Sequence, residues 1–115
     1  MSLSPLDRDF LDELLDGDRE FGGELLQAFS DSTDHWLAQA TQACATGDVP
    51  QAVRAFHTLK GSAASVGLIA VRSLARDLEL LSKEQRLSLC GPQLPELRFR
   101  VQTGRRLLAE FLETM

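Results

Sequence analysis

His57 is followed by Lys60 at the third position, Gly61 at the fourth and Ala64 at the seventh. On a helix these spacings place the four residues along one flank of an apolar stripe. That stripe consists of Ala52, Val53, Phe56, Leu59, Ala63 and Val66. Because Gly61 and Ala64 carry almost no side chain, another protein can approach an exposed imidazole closely, and the Lys60 ammonium can hold an anion there. The pattern predicts a histidine that carries a phosphoryl group.

The elements that position this histidine are predicted to be helices, because apolar residues recur at helical spacing nearly throughout the chain. The predicted helices cover about residues 5–15, 18–46, 48–67, 69–82 and 92–113. Ser4 is expected to cap the first helix, with Pro5 at its first position. Residues 83–95 are expected to form a loop or a frayed segment. The predicted fold is all-α, an antiparallel up-down four-helix bundle with a short additional N-terminal helix.

A carboxylate is predicted beside the histidine. His57 precedes Gly67 by ten residues, and Glu79 follows Gly67 by twelve. A tight helical hairpin that turns at Gly67 therefore sets the side chains of His57 and Glu79 nearly level on adjacent helices. A hydrogen bond to one ring nitrogen fixes the proton there and presents the other nitrogen as the nucleophile. The alternative is a surface glutamate paired with Arg76 or Lys83.

The run His57-x-Leu59-Lys60-Gly61-Ser62, with Gly67 ten residues after the histidine, resembles the signature of histidine phosphotransfer (HPt) domains of bacterial phosphorelays. The resemblance covers roughly residues 5–113. It implies that His57 accepts a phosphoryl group from a receiver-domain aspartyl phosphate and passes it to a response-regulator aspartate. It also implies that Glu79 holds Nδ1–H of the ring and leaves Nε2 free, and that Lys60 offsets the phosphoryl charge. Such a carrier has no turnover of its own.

The resemblance implies two kinds of partner, response-regulator receiver domains and a hybrid sensor histidine kinase. A receiver presents an acidic pocket, which basic residues near the histidine would complement. The residues expected to dock it are Gly61, Ala64, Leu68, Arg72 and Arg76. The receiver is expected to supply Mg²⁺, so no cofactor or metal is expected to be bound by this chain.

Composition limits the remaining possibilities. The chain has 115 residues, enough for one domain with its own core, and residues 1–3 resemble a cloning remnant. Its net charge of −5 disfavours a nucleic-acid surface. The spacing of Cys44 and Cys90 does not match a zinc site, so both residues are expected to be reduced thiols in a cytosolic protein. No apolar run approaches the roughly 18 residues of a membrane span. We therefore expect a cytoplasmic monomer without direct membrane contact, free or tethered to the inner membrane through a parent sensor kinase.

Two other functions remain open at this point. The phosphoacceptor domain of a chemotaxis-type kinase has a similar His-x-x-Lys-Gly motif but receives its phosphate from ATP on a separate kinase domain. A helical interaction module whose histidine carries no phosphate is the second alternative. His35 has no lysine-glycine pair after it and is expected to be solvated or hydrogen-bonded.

Overall fold

Helices account for nearly all of the described residues. The computed structural model describes residues 5–115. The helices are α1 (Arg8–Leu15), α2 (Arg19–Thr46), α3 (Val49–Ser65), α4 (Ile69–Lys83), α5 (Leu87–Cys90) and α6 (Leu94–Glu113), with a 3₁₀ turn at Gly91–Gln93. Helices α2, α3, α4 and α6 form the bundle, in which α3 packs mainly on α4 and α2, and α6 packs on α2 and α4. The predicted all-α fold is confirmed.

Aspartates begin the first three helices. Asp7, Asp18 and Asp48 each accept a hydrogen bond from the backbone N–H three residues later, at 2.9–3.1 Å. Such caps satisfy N–H groups that the first helical turn leaves without a partner. The connection between α2 and α3 is short because Gly47, with φ +75°, ends α2 immediately before Asp48.

The predicted start of α1 is wrong by three residues. The helix begins at Arg8 and is capped by Asp7, whereas Pro5 lies before it in a non-helical segment. The residues of that segment contact the bundle instead. The predicted cap Ser4 and the predicted cloning remnant at 1–3 lie outside the described residues.

The segment before α1 pairs with the turn that joins α3 to α4. Leu6 and Leu68 form an isolated antiparallel bridge, and the Asp7 N–H donates to the Gly67 carbonyl at 2.8 Å. Gly67 adopts φ +69°, a left-handed conformation that glycine reaches without steric cost. This turn brings α4 back along α3 and therefore determines which α4 residue lies beside His57.

The segment predicted as a loop contains a short helix. Leu87 and Cys90 of α5 are buried, and the Cys90 Sγ lies 3.6 Å from the Leu78 carbonyl oxygen. Two apolar residues three apart are too few to establish a helical period in the sequence, but they suffice to hold one turn against the end of the bundle.

The core lies along the axis of the bundle and is built from aliphatic and aromatic side chains. Its largest fully buried members include Phe56, Leu59, Leu68, Leu78, Leu97, Val101 and Leu108. Gly104 of α6 faces Leu68, whose Cδ1 lies 2.7 Å from the point that a Cβ at position 104 would occupy. This close approach allows α6 to cover the α3–α4 turn. Within residues 5–115, no helix has both the length and the apolar character needed to cross a membrane.

Candidate functional site

His57 lies near the middle of α3 with its ring directed away from the core. Its side chain is 67% exposed, whereas Phe56 and Leu59 beside it are fully buried. Gly61, one turn later, is exposed, and a Cβ built there would meet nothing within 4 Å. Ala64, one further turn along, is also exposed. The imidazole can therefore be approached along a strip of α3 that carries very little side chain.

Glu79 of α4 holds the ring from the side of the core. Its Oε2 lies 3.0 Å from Nδ1 of His57, and its side chain is only 5% exposed. Because an ionised carboxylate can only accept hydrogen bonds, the proton of the ring resides on Nδ1. The second ring nitrogen, Nε2, then carries the lone pair. The arrangement can therefore present a neutral imidazole as a nucleophile in a fixed orientation.

Two lysines bind the same carboxylate. Lys60 Nζ lies 2.7 Å from Oε1 of Glu79, and Lys83 Nζ lies 3.1 Å from Oε2. We call these four residues, His57, Lys60, Glu79 and Lys83, the Glu79 cluster. One buried carboxylate thus accepts hydrogen bonds from an imidazole and two ammonium groups on two adjacent helices.

The Glu79 cluster keeps its carboxylate ionised despite burial. Burial by itself raises the pKa of Glu79, because loss of water disfavours the charged form. The hydrogen bonds from the two lysines and the imidazole outweigh that effect and lower the pKa of Glu79 from 4.5 to about 2. The carboxylate is therefore available as an acceptor for Nδ1–H across the neutral range.

From the sequence, a contact of Glu79 with His57 and a pairing of Glu79 with Arg76 or Lys83 were alternatives. The structure shows the contact with His57 and the pairing with Lys83 together. Glu79 lies beside His57 and is also paired with Lys83, but it is buried rather than on the surface. The i,i+4 spacing of Glu79 and Lys83 was the available signal for their pairing. Lys60 was expected to lean toward the histidine and hold an anion there, and the anion that its ammonium contacts in the structure is Glu79.

The predicted docking residues divide into an exposed group and one buried residue. Arg72 and Arg76 are exposed on α4, and Arg72 and Ala64 line a cleft of about 110 Å³ beside α1. Leu68 is only 1% exposed and packs toward Gly104 of α6. The α3–α4 turn directs this side chain into the bundle, which disfavours a part for Leu68 in docking, and that role stays a prediction.

The two cysteines, Cys44 and Cys90, are free thiols. Burial raises the pKa of Cys90 and of Cys44, and the proximity of Cys90 raises the pKa of Cys44 further. Both thiols are therefore poor nucleophiles at neutral pH. Within the part of the chain that the structure describes, no three His, Cys, Asp or Glu side chains are grouped so as to hold a metal ion.

Comparison with known families agrees with this geometry. The family model of the Hpt domain matches residues 24–115, which include every member of the Glu79 cluster. The chain belongs to the Hpt domain family. The match leaves α1 and the first turn of α2 outside it.

This Hpt domain is also similar to the phosphorelay intermediate protein rdeA of Dictyostelium discoideum. The two are 30% identical over 105 residues, which cover 91% of this chain and 41% of that relative. The Hpt domain described here therefore spans less than half of the relative's length. No solved structure matches the chain.

Proposed function

We propose that this Hpt domain is a phosphorelay carrier that transfers a phosphoryl group between two receiver domains through Nε2 of His57. The donor would be an aspartyl phosphate on the receiver of a hybrid sensor histidine kinase, and the acceptor an aspartate on a response regulator. One observation carries the proposal: an imidazole that is 67% exposed donates Nδ1–H to a buried, ionised carboxylate. Family membership and the similarity to a phosphorelay intermediate support the same reading.

The reaction at the histidine is an in-line displacement at phosphorus. The lone pair of Nε2 attacks the phosphorus of the aspartyl phosphate, the N–P bond forms, and the P–O bond to the aspartyl carboxylate breaks. The aspartate leaves as a carboxylate, and the proton on Nδ1 stays in place. In the second transfer an aspartate oxygen of the other receiver attacks the same phosphorus and releases Nε2. The carrier is phosphorylated in the first transfer and returns to its starting state in the second, and we propose that it performs no reaction apart from its partners.

Glu79 contributes position and charge to both steps. Its hydrogen bond to Nδ1 fixes the tautomer and the ring plane, so Nε2 points away from the bundle. When Nε2 bears phosphorus and Nδ1 keeps its proton, the ring becomes cationic. A carboxylate 3.0 Å away stabilises that charge without needing to reorganise.

The surface around the histidine is suited to a partner that brings its own acidic pocket and Mg²⁺. Gly61 and Ala64 let the receiver approach Nε2, and Arg72 and Arg76 add positive charge on the adjacent helix. Complementary charge of this kind accelerates and orients docking. We propose that the receiver supplies the metal and that this domain binds no cofactor.

The assignment can be tested with a matched pair of histidine variants. Receiver domains carrying ³²P on their aspartate are mixed with wild-type protein, His57→Gln and His35→Gln, the last altering an exposed histidine on α2. We expect acid-labile label on the wild type and on His35→Gln, and none on His57→Gln. Label retained by His57→Gln would refute the assignment. Labelling from ATP by a kinase core without any receiver would favour the chemotaxis-type alternative.

A further inference from the structure

The start of α4 differs from the starts of α1, α2 and α3. Aspartates cap those three helices, whereas the residue before α4 is Leu68, whose apolar side chain cannot accept a hydrogen bond. The Ile69 N–H donates instead to the Pro5 carbonyl at 3.0 Å. A backbone group from a distant part of the sequence therefore binds a first-turn N–H that a capping side chain would otherwise satisfy.

The residues around Pro5 also bind the other side of the α3–α4 turn. The Asp7 N–H donates to the Gly67 carbonyl at 2.8 Å, and Leu6 forms an antiparallel bridge with Leu68. We call residues 5–7 the N-terminal segment. Its two backbone hydrogen bonds involve the residue before Leu68 and the residue after it, so the segment pairs with the turn in a single register.

Buried side chains hold the N-terminal segment on the bundle. Leu6 is almost fully buried, as are Leu11 and Leu15 of α1, which follows the segment directly. Asp7 connects the two parts, because its carboxylate caps α1 while its N–H binds the turn. The Hpt family model begins to match at residue 24, so these contacts come from a part of the chain outside that match.

The contact between His57 and Glu79 requires precise placement of α4 along α3. Nδ1 and Oε2 are 3.0 Å apart. A hydrogen bond of this kind is lost when the two atoms separate beyond about 3.5 Å, and one residue of helix spans about 1.5 Å. Apolar packing between helices is non-directional, whereas backbone hydrogen bonds are directional. A turn that is held in one register by backbone hydrogen bonds can therefore keep the carboxylate on the ring.

We propose that the N-terminal segment is a positioning element for the histidine. By binding Gly67 and Ile69 it fixes the placement of α4 along α3, and so keeps Oε2 of Glu79 on Nδ1 of His57. The segment touches neither side chain and acts through the turn. Its effect on phosphoryl transfer rests on the proposed function, whereas its effect on the imidazole does not.

Ile69→Pro removes the N–H that binds the Pro5 carbonyl. Proline is compatible with the first position of a helix, and Leu68 before it is already non-helical, at φ −89° and ψ 86°. Ile69→Ala is the matched control, because it also loses the isoleucine side chain but keeps the N–H. A difference between these two variants therefore reports on the hydrogen bond to the N-terminal segment.

The tautomer of the unphosphorylated His57 ring reports on its bond to Glu79. The ¹⁵N chemical shifts of Nδ1 and Nε2, measured at a pH at which the ring is neutral, give the ratio of the two tautomers. We expect the ratio of the Nδ1–H to the Nε2–H tautomer to be about fivefold lower in Ile69→Pro than in Ile69→Ala, the effect of losing one hydrogen bond. Transfer of label from a receiver should be slower by about threefold or more, because misplacement of a reacting group slows a reaction.

A second pair of variants decides the question if Ile69→Pro does not fold. Leu6→Ala removes the buried side chain of the N-terminal segment, and Leu37→Ala removes a buried leucine from α2, beside its groove with α6. Urea unfolding gives the stability of both variants. We expect the tautomer ratio to fall in Leu6→Ala and to keep its wild-type value in Leu37→Ala, although both variants leave a cavity in the core.

An unchanged tautomer ratio in folded Ile69→Pro would overturn the role of the N-terminal segment, as would an unchanged ratio in Leu6→Ala if the proline variant does not fold. An equal fall of the ratio in Leu37→Ala would also overturn it, because the ring would then respond to any loosening of the core. These measurements need no receiver. Failure of every receiver to label wild-type His57 would instead contradict the proposed function and leave the result on the ring intact.

Discussion

The buried carboxylate of Glu79 should give the protein a distinctive loss of stability in acid. Its pKa is about 2 in the folded protein against 4.5 for a free side chain. A group whose pKa is lowered by folding stabilises the folded state above its unfolded pKa, and that contribution is lost as the pH falls from about 4.5 toward 2. A difference of this size corresponds to about 3 kcal/mol, of which about 2 kcal/mol is lost by pH 3.

Glu79→Gln isolates this contribution, because glutamine keeps an acceptor for the imidazole and does not titrate. Urea unfolding of wild type and variant between pH 7 and pH 3 should give two stability curves that converge by about 2 kcal/mol on the acid side. Glu96→Gln is the matched control, since Glu96 is an exposed carboxylate in an i,i+4 pair with Arg100 at 3.0 Å. Surface pairs contribute little, so its curve should run parallel to that of the wild type. Parallel curves for Glu79→Gln would refute the argument that the lysines and the imidazole hold this carboxylate ionised.

Three further outcomes are expected. Gly61→Glu should slow phosphoryl transfer from a labelled receiver at least tenfold, because it places a charged side chain beside Nε2. Gly23→Glu, at an equally open helical glycine, should leave the transfer rate unchanged. Equal transfer rates for the two variants would show that Gly61 is irrelevant to docking. Gly104→Ala should lower the free energy of unfolding by about 1 kcal/mol or more, because the added Cβ meets Leu68. Gly23→Ala, where the added Cβ meets nothing, should raise the free energy of unfolding by about 0.5–1 kcal/mol. A Gly104→Ala protein that is more stable than the wild type would contradict this packing. Cys90 should react with iodoacetamide at pH 8 at least tenfold more slowly in the folded protein than in urea, because its side chain is fully buried and burial also raises the pKa of its thiol. Cys44, which is only partly buried, should be slowed less. Equal rates for Cys90 in the two states would show that its thiol is accessible.

The long helices were predictable from the sequence because each has enough turns to establish an apolar period, and aspartates additionally mark the starts of α2 and α3. The short α5 was missed since Leu87 and Cys90 provide a single helical repeat. The start of α1 was misplaced because proline is common at the first helical position, whereas here the residues before Asp7 contact the α3–α4 turn.

The candidate site could be predicted only in part. Spacing along two helices was sufficient to set Glu79 level with His57, since that depends on helical rise and a short turn. The sequence did not establish that Glu79 is buried, because glutamate is rarely found inside a protein unless it is paired. Nor could it determine how the lysines share the carboxylate, which depends on side-chain conformation and depth. Nor did the sequence establish that Leu68 is buried, because the direction of a residue in a turn does not follow from helical periodicity.

The contacts that build the Glu79 cluster are local along the chain. Its members come from two consecutive helices, and the histidine and its carboxylate are 22 residues apart. Closing a loop of that length costs about 1 kcal/mol less in chain entropy than bringing α6 onto α2, whose contacts span 71 to 75 residues at Arg105. Local contacts form early in folding. We therefore expect the α3–α4 hairpin to acquire its histidine geometry before the last helix closes the bundle.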